Sequence, residues 1–421
     1  MNILWLSVSP FAPTGYGTQT YQATQRLKAA GHNVAVSVQA GLQWGSFEYD
    51  GVLLYPGDHT RLNKRMLKSH VADWADRCGC PPSEVQVISL FDIWPWVDPS
   101  PQFGGMVADF DGLNIAAWLP VDSLPLNPKT HAALEHFKVR PIAMSRFGEE
   151  QLREAGHDPL YVPHGIDTAV YRPVEDRAAC KKFLGADEDA FVIGMVAHNE
   201  GLMPARKAFP NVLQAFAAFR RDHDDAVLYL HTEVTGRAWG GLDLLGMARH
   251  FGIPHDALKI VPQIPYLSGA VTPEIMAHVY SGMDVLANTS YAEGFGLPIV
   301  EAQACGTPVI VTAWTSMPEL VGSGWTVGGQ PWFNEAAGAM WMHPDTAQIV
   351  AAFESAYEAR GDADKRTSAR SFALQYDADR VFNGRWVPAL EALGKPREVP
   401  PLPFAPNRAQ RRAAQKTKVA A

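Results

Sequence analysis

The chain has 421 residues, too many for one ordinary hydrophobic core and suited to two domains. With 47% hydrophobic and 19% charged residues it is globular rather than disordered. A net charge of −8, with acidic side chains outnumbering basic ones over residues 1–170, argues mildly against nucleic acid as a partner. The cysteines Cys78, Cys80, Cys180 and Cys305 have neither zinc nor disulfide-framework spacing, and the first residues lack a basic n-region. No apolar run approaches the ~18 residues of a membrane span. A cytoplasmic protein, neither exported nor membrane-inserted, is expected.

The opening reads strand, glycine loop, helix, strand: Ile3 to Val8, Gly15-Tyr16-Gly17, Thr18 to Ala30 with Gly31 as stop, then Val34 to Val38. This is a βαβ unit. A dinucleotide reading of it fails, because the third glycine of the fingerprint falls at Thr20 and the second strand ends in Val38-Gln39 without an acidic ribose ligand. Short apolar runs follow at Val52–Tyr55, Val85–Leu90, Ile115–Leu119, Ile142–Met144 and Tyr161–Val162, an alternation that predicts a parallel, doubly wound sheet.

A second series starts after Pro173–Asp189. Phe191–Val196 reads as a strand, Phe209, Val212, Leu213, Phe216 and Ala217 as a helix stripe, and Val227–His231 as the next strand. Helices near Leu242–Phe251 and Pro273–Ser281 and strands at Ile260 and Asp284–Ala287 continue it. Two Rossmann-like halves facing a cleft follow. Near the end, five prolines between residues 396 and 406 precede Arg408, Arg411, Arg412, Lys416 and Lys418, which read as an extended, solvated tail.

Glu293 and Glu301 carry the strongest chemical signal. They flank seven residues in Ala-Glu-Gly-Phe-Gly-Leu-Pro-Ile-Val-Glu-Ala. Pro298 suits a first helical turn, so a helix is predicted from about Leu297 to Cys305, with Gly294 and Gly296 leaving amides bare before it. A helix start with bare amides is an anion site, and two carboxylates beside it can accept sugar and ribose hydroxyls. The pattern reads as a nucleotide-sugar pocket; the competing reading makes Glu293 a dipole partner and Glu301 a solvated helix residue.

The stretch Asn288–Gly322, ending in Met-Pro-Glu-Leu-Val-Gly, resembles the signature of the family-4 retaining glycosyltransferases of GT-B fold (glycosyl transferases group 1). Met144-Ser145-Arg146-Phe147, Val162-Pro163-His164-Gly165-Ile166-Asp167 with Tyr171-Arg172-Pro173, and Arg206-Lys207 occur in that family's order, so the likeness covers roughly residues 1–390. The resemblance implies an α/β GT-B protein with two doubly wound domains: an acceptor-side domain at 1–172 and a nucleotide-sugar domain at 173–375. A helix at 376–394, with Phe382, Trp386 and Leu390 on one face, crosses back to the first domain, and 395–421 forms the tail.

It also implies the chemistry of retaining transfer from a nucleoside-diphosphate sugar without a cofactor or metal. Lys207 and Arg206 would neutralise the leaving diphosphate, and Glu301 would bind the ribose. Glu293 with the amides of Gly294, Phe295, Gly296 and Leu297 would hold the donor sugar and phosphate, and the Gly15–Gly17 loop would approach the donor. Where the family has a further arginine this chain has His198-Asn199, so Asn199 is the neutral substitute. The family's first-domain histidine is missing; Asp122 stands at that place, and Asp92 is a second cleft candidate. His164 and Asp167 read as loop residues, and Trp94, Trp96 and Trp118 as core residues or an aromatic platform. The acceptor is open: a lipid, small glycoside, protein hydroxyl or modified nucleobase. The rival functions are a sugar-nucleotide epimerase or hydrolase of similar shape, and a non-catalytic binding protein.

Overall fold

The computed structural model of the chain describes residues 1–58, 62–201 and 205–395. The expectation for the proline-rich, basic tail therefore lies outside the described residues. Sixteen strands are present among those described: β1 (Asn2–Val8), β2 (Asn33–Ala40), β3 (Phe47–Tyr49), β4 (Val52–Tyr55), β5 (Val85–Leu90), β6 (Asn114–Leu119), β7 (Arg140–Ala143) and β8 (Leu160–Tyr161) form one sheet. The others are β9 (Phe191–Val196), β10 (Ala226–His231), β11 (Leu258–Ile260), β12 (Val285–Asn288), β13 (Val309–Thr312), β14 (Gly324–Val327), β15 (Gly329–Asn334) and β16 (Ala339–Pro344).

The first sheet runs in the order β3-β4-β2-β1-β5-β6-β7-β8 and is parallel except for the β3–β4 pair. The second runs β11-β10-β9-β12-β13-β14, all parallel. Strand residues Ile3 to Leu6 are fully buried, as a sheet with helices on both faces requires. Winding reverses between β1 and β5 in the first sheet and between β9 and β12 in the second. In such sheets ligands sit outside the carboxyl ends of the strands at these switch points.

The first helix corrects an expectation. It spans Gly15–Ala29 rather than starting at Thr18, because Thr14 in extended conformation caps it, its hydroxyl accepting the Gly17 amide at 3.1 Å. The pair of glycines lies in the first turn, and a Cβ at Gly17 would stand 2.1 Å from the Ala12 carbonyl. A hairpin, β15–β16, was not anticipated at all. It departs from the doubly wound pattern and reaches the first domain, where Met340 and Leu124 pair by N–H···O bonds of 2.8 and 3.4 Å.

The chain re-enters the first domain at Asp377, which bridges to Ile166. The following helical stretch contains a π-turn at Phe382–Trp386. Trp386 then lands on the core of the first sheet, its ring 5.6 Å from Trp5 and 5.0 Å from Trp118. The second domain also touches the first along the cleft: a Cβ on Gly294 would stand 2.3 Å from Pro120, and one on Gly15 3.1 Å from Leu297. Glu319 bonds the amides of Arg146 and Phe147 at 2.9 and 3.0 Å, capping a first-domain helix.

Trp386→Ala removes the buried ring that ties the crossing segment to β1 and β6, and its expected cost is about 3–5 kcal/mol. Thermal unfolding followed by circular dichroism checks this; an unchanged melting temperature would show that the crossover is not docked there.

Candidate active site

Both switch points contribute side chains to one place. From the second domain, the loop after β9 delivers Arg206 and Lys207, and the loop after β12 delivers Glu293. Arg206 Nη1 donates to Glu293 Oε2 and to the Ala292 carbonyl, each at 2.8 Å, and Lys207 Nζ donates to Glu293 Oε1 at 2.5 Å. Backbone strain holds the pair in position: Ala208, directly after Lys207, is left-handed at φ 52° and fully buried before the Phe209–Phe219 helix. The Glu293 loop is fastened in turn. Thr315 Oγ1 accepts the Glu293 amide at 3.1 Å, and the Ser316 hydroxyl bonds the carbonyls of Glu293 and Phe295, both at 2.8 Å.

The first domain answers with Tyr16, at the start of the helix after β1, Asp92, just past β5, and Asp122, past β6. Burial alone would raise the Glu293 carboxyl, but Lys207 and Arg206 outweigh it and hold it at about 2. Lys207 is lowered by burial and by Arg206. Asp122 is raised, first by burial and then by Glu293, with Arg206 acting against both. Asp92 opens to the cleft yet is walled by protein, and burial followed by its neighbour Asp122 lifts it to about 7. Tyr16 is raised by burial and by Asp92. The site is thus a two-cation, three-carboxylate cluster shared by the domains.

Glu301 stands apart from that cluster, in the Leu297–Ala304 helix, where it accepts the Tyr280 hydroxyl at 2.8 Å and is bonded by Tyr171. Burial raises its carboxyl against those two donors. Two other assignments need correction. Asn199 is fully buried and its amide is saturated: it donates to the carbonyls of Glu233 and Leu242, both at 2.8 Å, and accepts the Leu242 amide at 2.9 Å. It therefore pins the 233–242 loop and has no group left for a phosphate. The Gly17 amide is likewise engaged by Thr14 and its Cα packs against Ala12, whereas Gly15 is exposed beside Leu297 and no acceptor among the described residues takes its amide.

The loop after Glu293 is also less bare than its sequence suggests. Gly294 is buried under Pro120, and Phe295 packs edge-on to His164 and Tyr376. Among the described residues no acceptor takes the amides of Gly294, Phe295 or Gly296, and Gly296, at φ 115°, caps the helix and remains partly exposed with Leu297. His164 is buried between Trp118, 4.4 Å away, and Phe295, bonds Gln19, and is lowered by burial to about 3. Trp96 and Trp118 are core residues, and Trp94 is half-buried against Phe103. Tyr16, Thr315, Ser316, Tyr171 and Tyr280 have no site role in the sequence reading; only Tyr16, framed by two glycines, and Tyr171, before Arg172-Pro173, lie in motifs that could have pointed to them. No group of three or more His, Cys, Asp or Glu side chains among the described residues is placed to hold a metal ion.

Residues 191–357 match the family model described as glycosyl transferases group 1. This stretch is a glycosyl transferases group 1 domain. The domain contains both switch-point loops that carry Arg206, Lys207 and Glu293. The chain is 34% identical over 172 residues, 40% of its own length, to a D-inositol 3-phosphate glycosyltransferase of Actinosynnema mirum, and spans 38% of that relative. It is similar in structure to sucrose-phosphate synthase from Thermosynechococcus elongatus, with TM-score 0.62, 17% identity and 100% of both chains covered. HepE from Anabaena, solved in complex with UDP, gives TM-score 0.62 and 17% identity over 93% of this chain and 100% of that one. At such identity the likeness establishes the fold, GT-B, beyond the limits of the group 1 domain.

Asp92 provides a pH test of the cluster. Its folded value near 7 lies above the ordinary 3.8, so the folded state holds the proton more tightly and loses that advantage as pH rises from about 4 to 7. Asp92→Asn should therefore raise the melting temperature at pH 8 and leave it unchanged near pH 3.5. Equal shifts at both pH values would show that the Asp92 carboxyl is not raised in the folded protein.

Proposed function

We propose that this protein is a retaining glycosyltransferase that moves a hexose-type sugar from a nucleoside diphosphate to a hydroxyl acceptor without requiring a metal. The observation that carries the reading is the Arg206–Lys207–Glu293 cluster, set at the second switch point and opposed by Asp122 and Asp92. The name of the relatives, D-inositol 3-phosphate glycosyltransferase, and the UDP bound by HepE support glycosyl transfer and a nucleoside-diphosphate ligand.

The roles follow from charge. Arg206 and Lys207 sit beside unengaged backbone amides, and Glu293 now occupies their positive charge. A donor diphosphate would take its place on them, and the two cations stabilise the charge that grows on the leaving group as the glycosidic bond breaks. Glu293, released, turns to the sugar hydroxyls. Glu301 is assigned to the ribose, in competition with the hydroxyls of Tyr280 and Tyr171. Asp122, with Asp92 beside it, faces the acceptor hydroxyl from the first domain.

Lys207→Ala should lower donor affinity or turnover by roughly ten- to a hundredfold, the worth of one charge-assisted bond at about 1.5–3 kcal/mol. Steady-state kinetics that match the parent would remove Lys207 from the site.

Glu293→Gln is expected not to weaken nucleotide affinity, since it removes the anion that competes with the diphosphate for both cations, and to depress transfer. Glu301→Ala should raise the dissociation constant for the free nucleoside diphosphate. Calorimetry separates this from a purely structural role, in which Glu301→Ala would lower thermal stability and leave nucleotide binding untouched.

The stereochemical test uses proton NMR of an early reaction mixture with excess EDTA, with and without acceptor. The anomeric coupling of the product should match that of the donor. An inverted product, or activity lost to chelator and restored by Mg²⁺ or Mn²⁺, overturns the reading. Sugar released or epimerised with no need for an acceptor would point to the epimerase or hydrolase alternative.

A further inference from the structure

Where the chain crosses from the second domain back to the first, a cavity of about 360 Å³ opens, lined by Tyr161, Pro163, Tyr376, Arg380, Gly384 and Arg385 among others. That volume lies in the range of small-molecule sites. Two cations face it, and the neighbouring acids are engaged elsewhere. Asp379 pairs with Arg26 at 2.7 Å, and Asp377 accepts the Thr168 hydroxyl at 2.6 Å and two amides of its own turn. Glu319 is spent on the amides of Arg146 and Phe147, and Glu149 on Arg146 and Arg153. Arg380 and Arg385 are exposed and form no ion pair with any described residue, in a chain whose net charge is −8.

The backbone presents these two arginines together. The π-turn at Phe382–Trp386 inserts an extra residue between them and swings Arg385 back toward the side of Arg380; such turns are frequent at functional sites. Arg385 lies 5.4 Å over the Tyr161 ring, which also carries the Arg146 guanidinium at 3.6 Å. Gly384, between them, leaves room: a Cβ there meets nothing within 4 Å, and its φ is not in the left-handed region. The cavity wall also joins both passes of the chain, since the Ile166 amide donates to the Tyr376 carbonyl at 2.9 Å, three residues on from Pro163.

We propose that this cavity binds a small phosphate-bearing molecule, its phosphate held by Arg380 and Arg385 and its remainder lodged in the space lined by Tyr161, Pro163 and Tyr376. Paired guanidinium groups match the geometry and charge of a phosphate better than those of a neutral ligand. None of the residues lining the cavity belongs to the Arg206–Lys207–Glu293 cluster, so the proposal stands whether or not that cluster binds a donor.

Titration calorimetry with glucose 6-phosphate tests it on the full chain, with glucose and inorganic phosphate as controls. Glucose 6-phosphate should bind the parent and Lys207→Ala alike. Affinity should fall at least about tenfold in the Arg380→Ala, Arg385→Ala double variant, as the loss of charge-assisted bonds predicts. Gly384→Phe should also abolish binding while keeping the parental melting temperature, because it fills the cavity without backbone strain. Glucose should not bind, and inorganic phosphate should bind more weakly than the sugar phosphate. Binding retained in the double variant, binding lost in Lys207→Ala, or no binding of glucose 6-phosphate to the parent would each overturn the proposal.

Discussion

A buried carboxylate held between two cations organises this protein's cleft. Glu293 is almost fully enclosed, and an enclosed charge costs several kcal/mol unless its partners are close and well aimed. Arg206 and Lys207 meet that demand at hydrogen-bond distance, and both need their own neighbours to be held there. Hence the left-handed Ala208, the Thr315 and Ser316 bonds behind Glu293, and the carbonyl of Ala292 on Arg206. An ion cluster that needs so much support is a poor stabiliser.

The opposition of two switch points explains why the first domain's carboxylates belong to the same field. Strand order places the loops after β1 and β5 in one domain opposite those after β9 and β12 in the other. Asp92 and Asp122 then lie near Arg206, which offsets part of the burial and of the Asp122 charge that together lift Asp92 to about 7. The domains are held in that relation by contacts spread around the rim: Pro120 on Gly294, Leu297 on Gly15, Glu319 on the helix at Arg146, and the hairpin strand at Met340 on Leu124. Each is small. Their distribution on several sides of the cleft, with Trp386 docked on the first core, sets one approach of the two sheets.

Much of this was legible from residues alone, and the reason is locality. Alternating apolar runs and helix stripes report burial within one element, so the doubly wound halves could be read without knowing how they meet. The Glu293–Glu301 segment, the Arg206-Lys207 pair and Pro298 at a helix start are likewise short patterns whose chemistry depends on near neighbours. Asp92 and Asp122 could be suspected from their places just after strands, where doubly wound sheets put their ligands.

What the sequence could not convey is which partner each polar group finds across the fold. Asn199 looks the same whether it faces a phosphate or pins a loop; only the placement of Glu233 and Leu242 shows that its amide is saturated. Glu301 carries no sign of Tyr171 and Tyr280, which are far from it in sequence. The early helix start turned on one Thr14 hydroxyl, and the docking of the β15–β16 hairpin on a single bridge from Met340 to Leu124 of the first domain. Local physical chemistry thus determined the elements and the residue types of the site, while long-range packing decided which of those residues are free to meet a ligand, because hydrogen-bond capacity and burial are properties of the assembled interior.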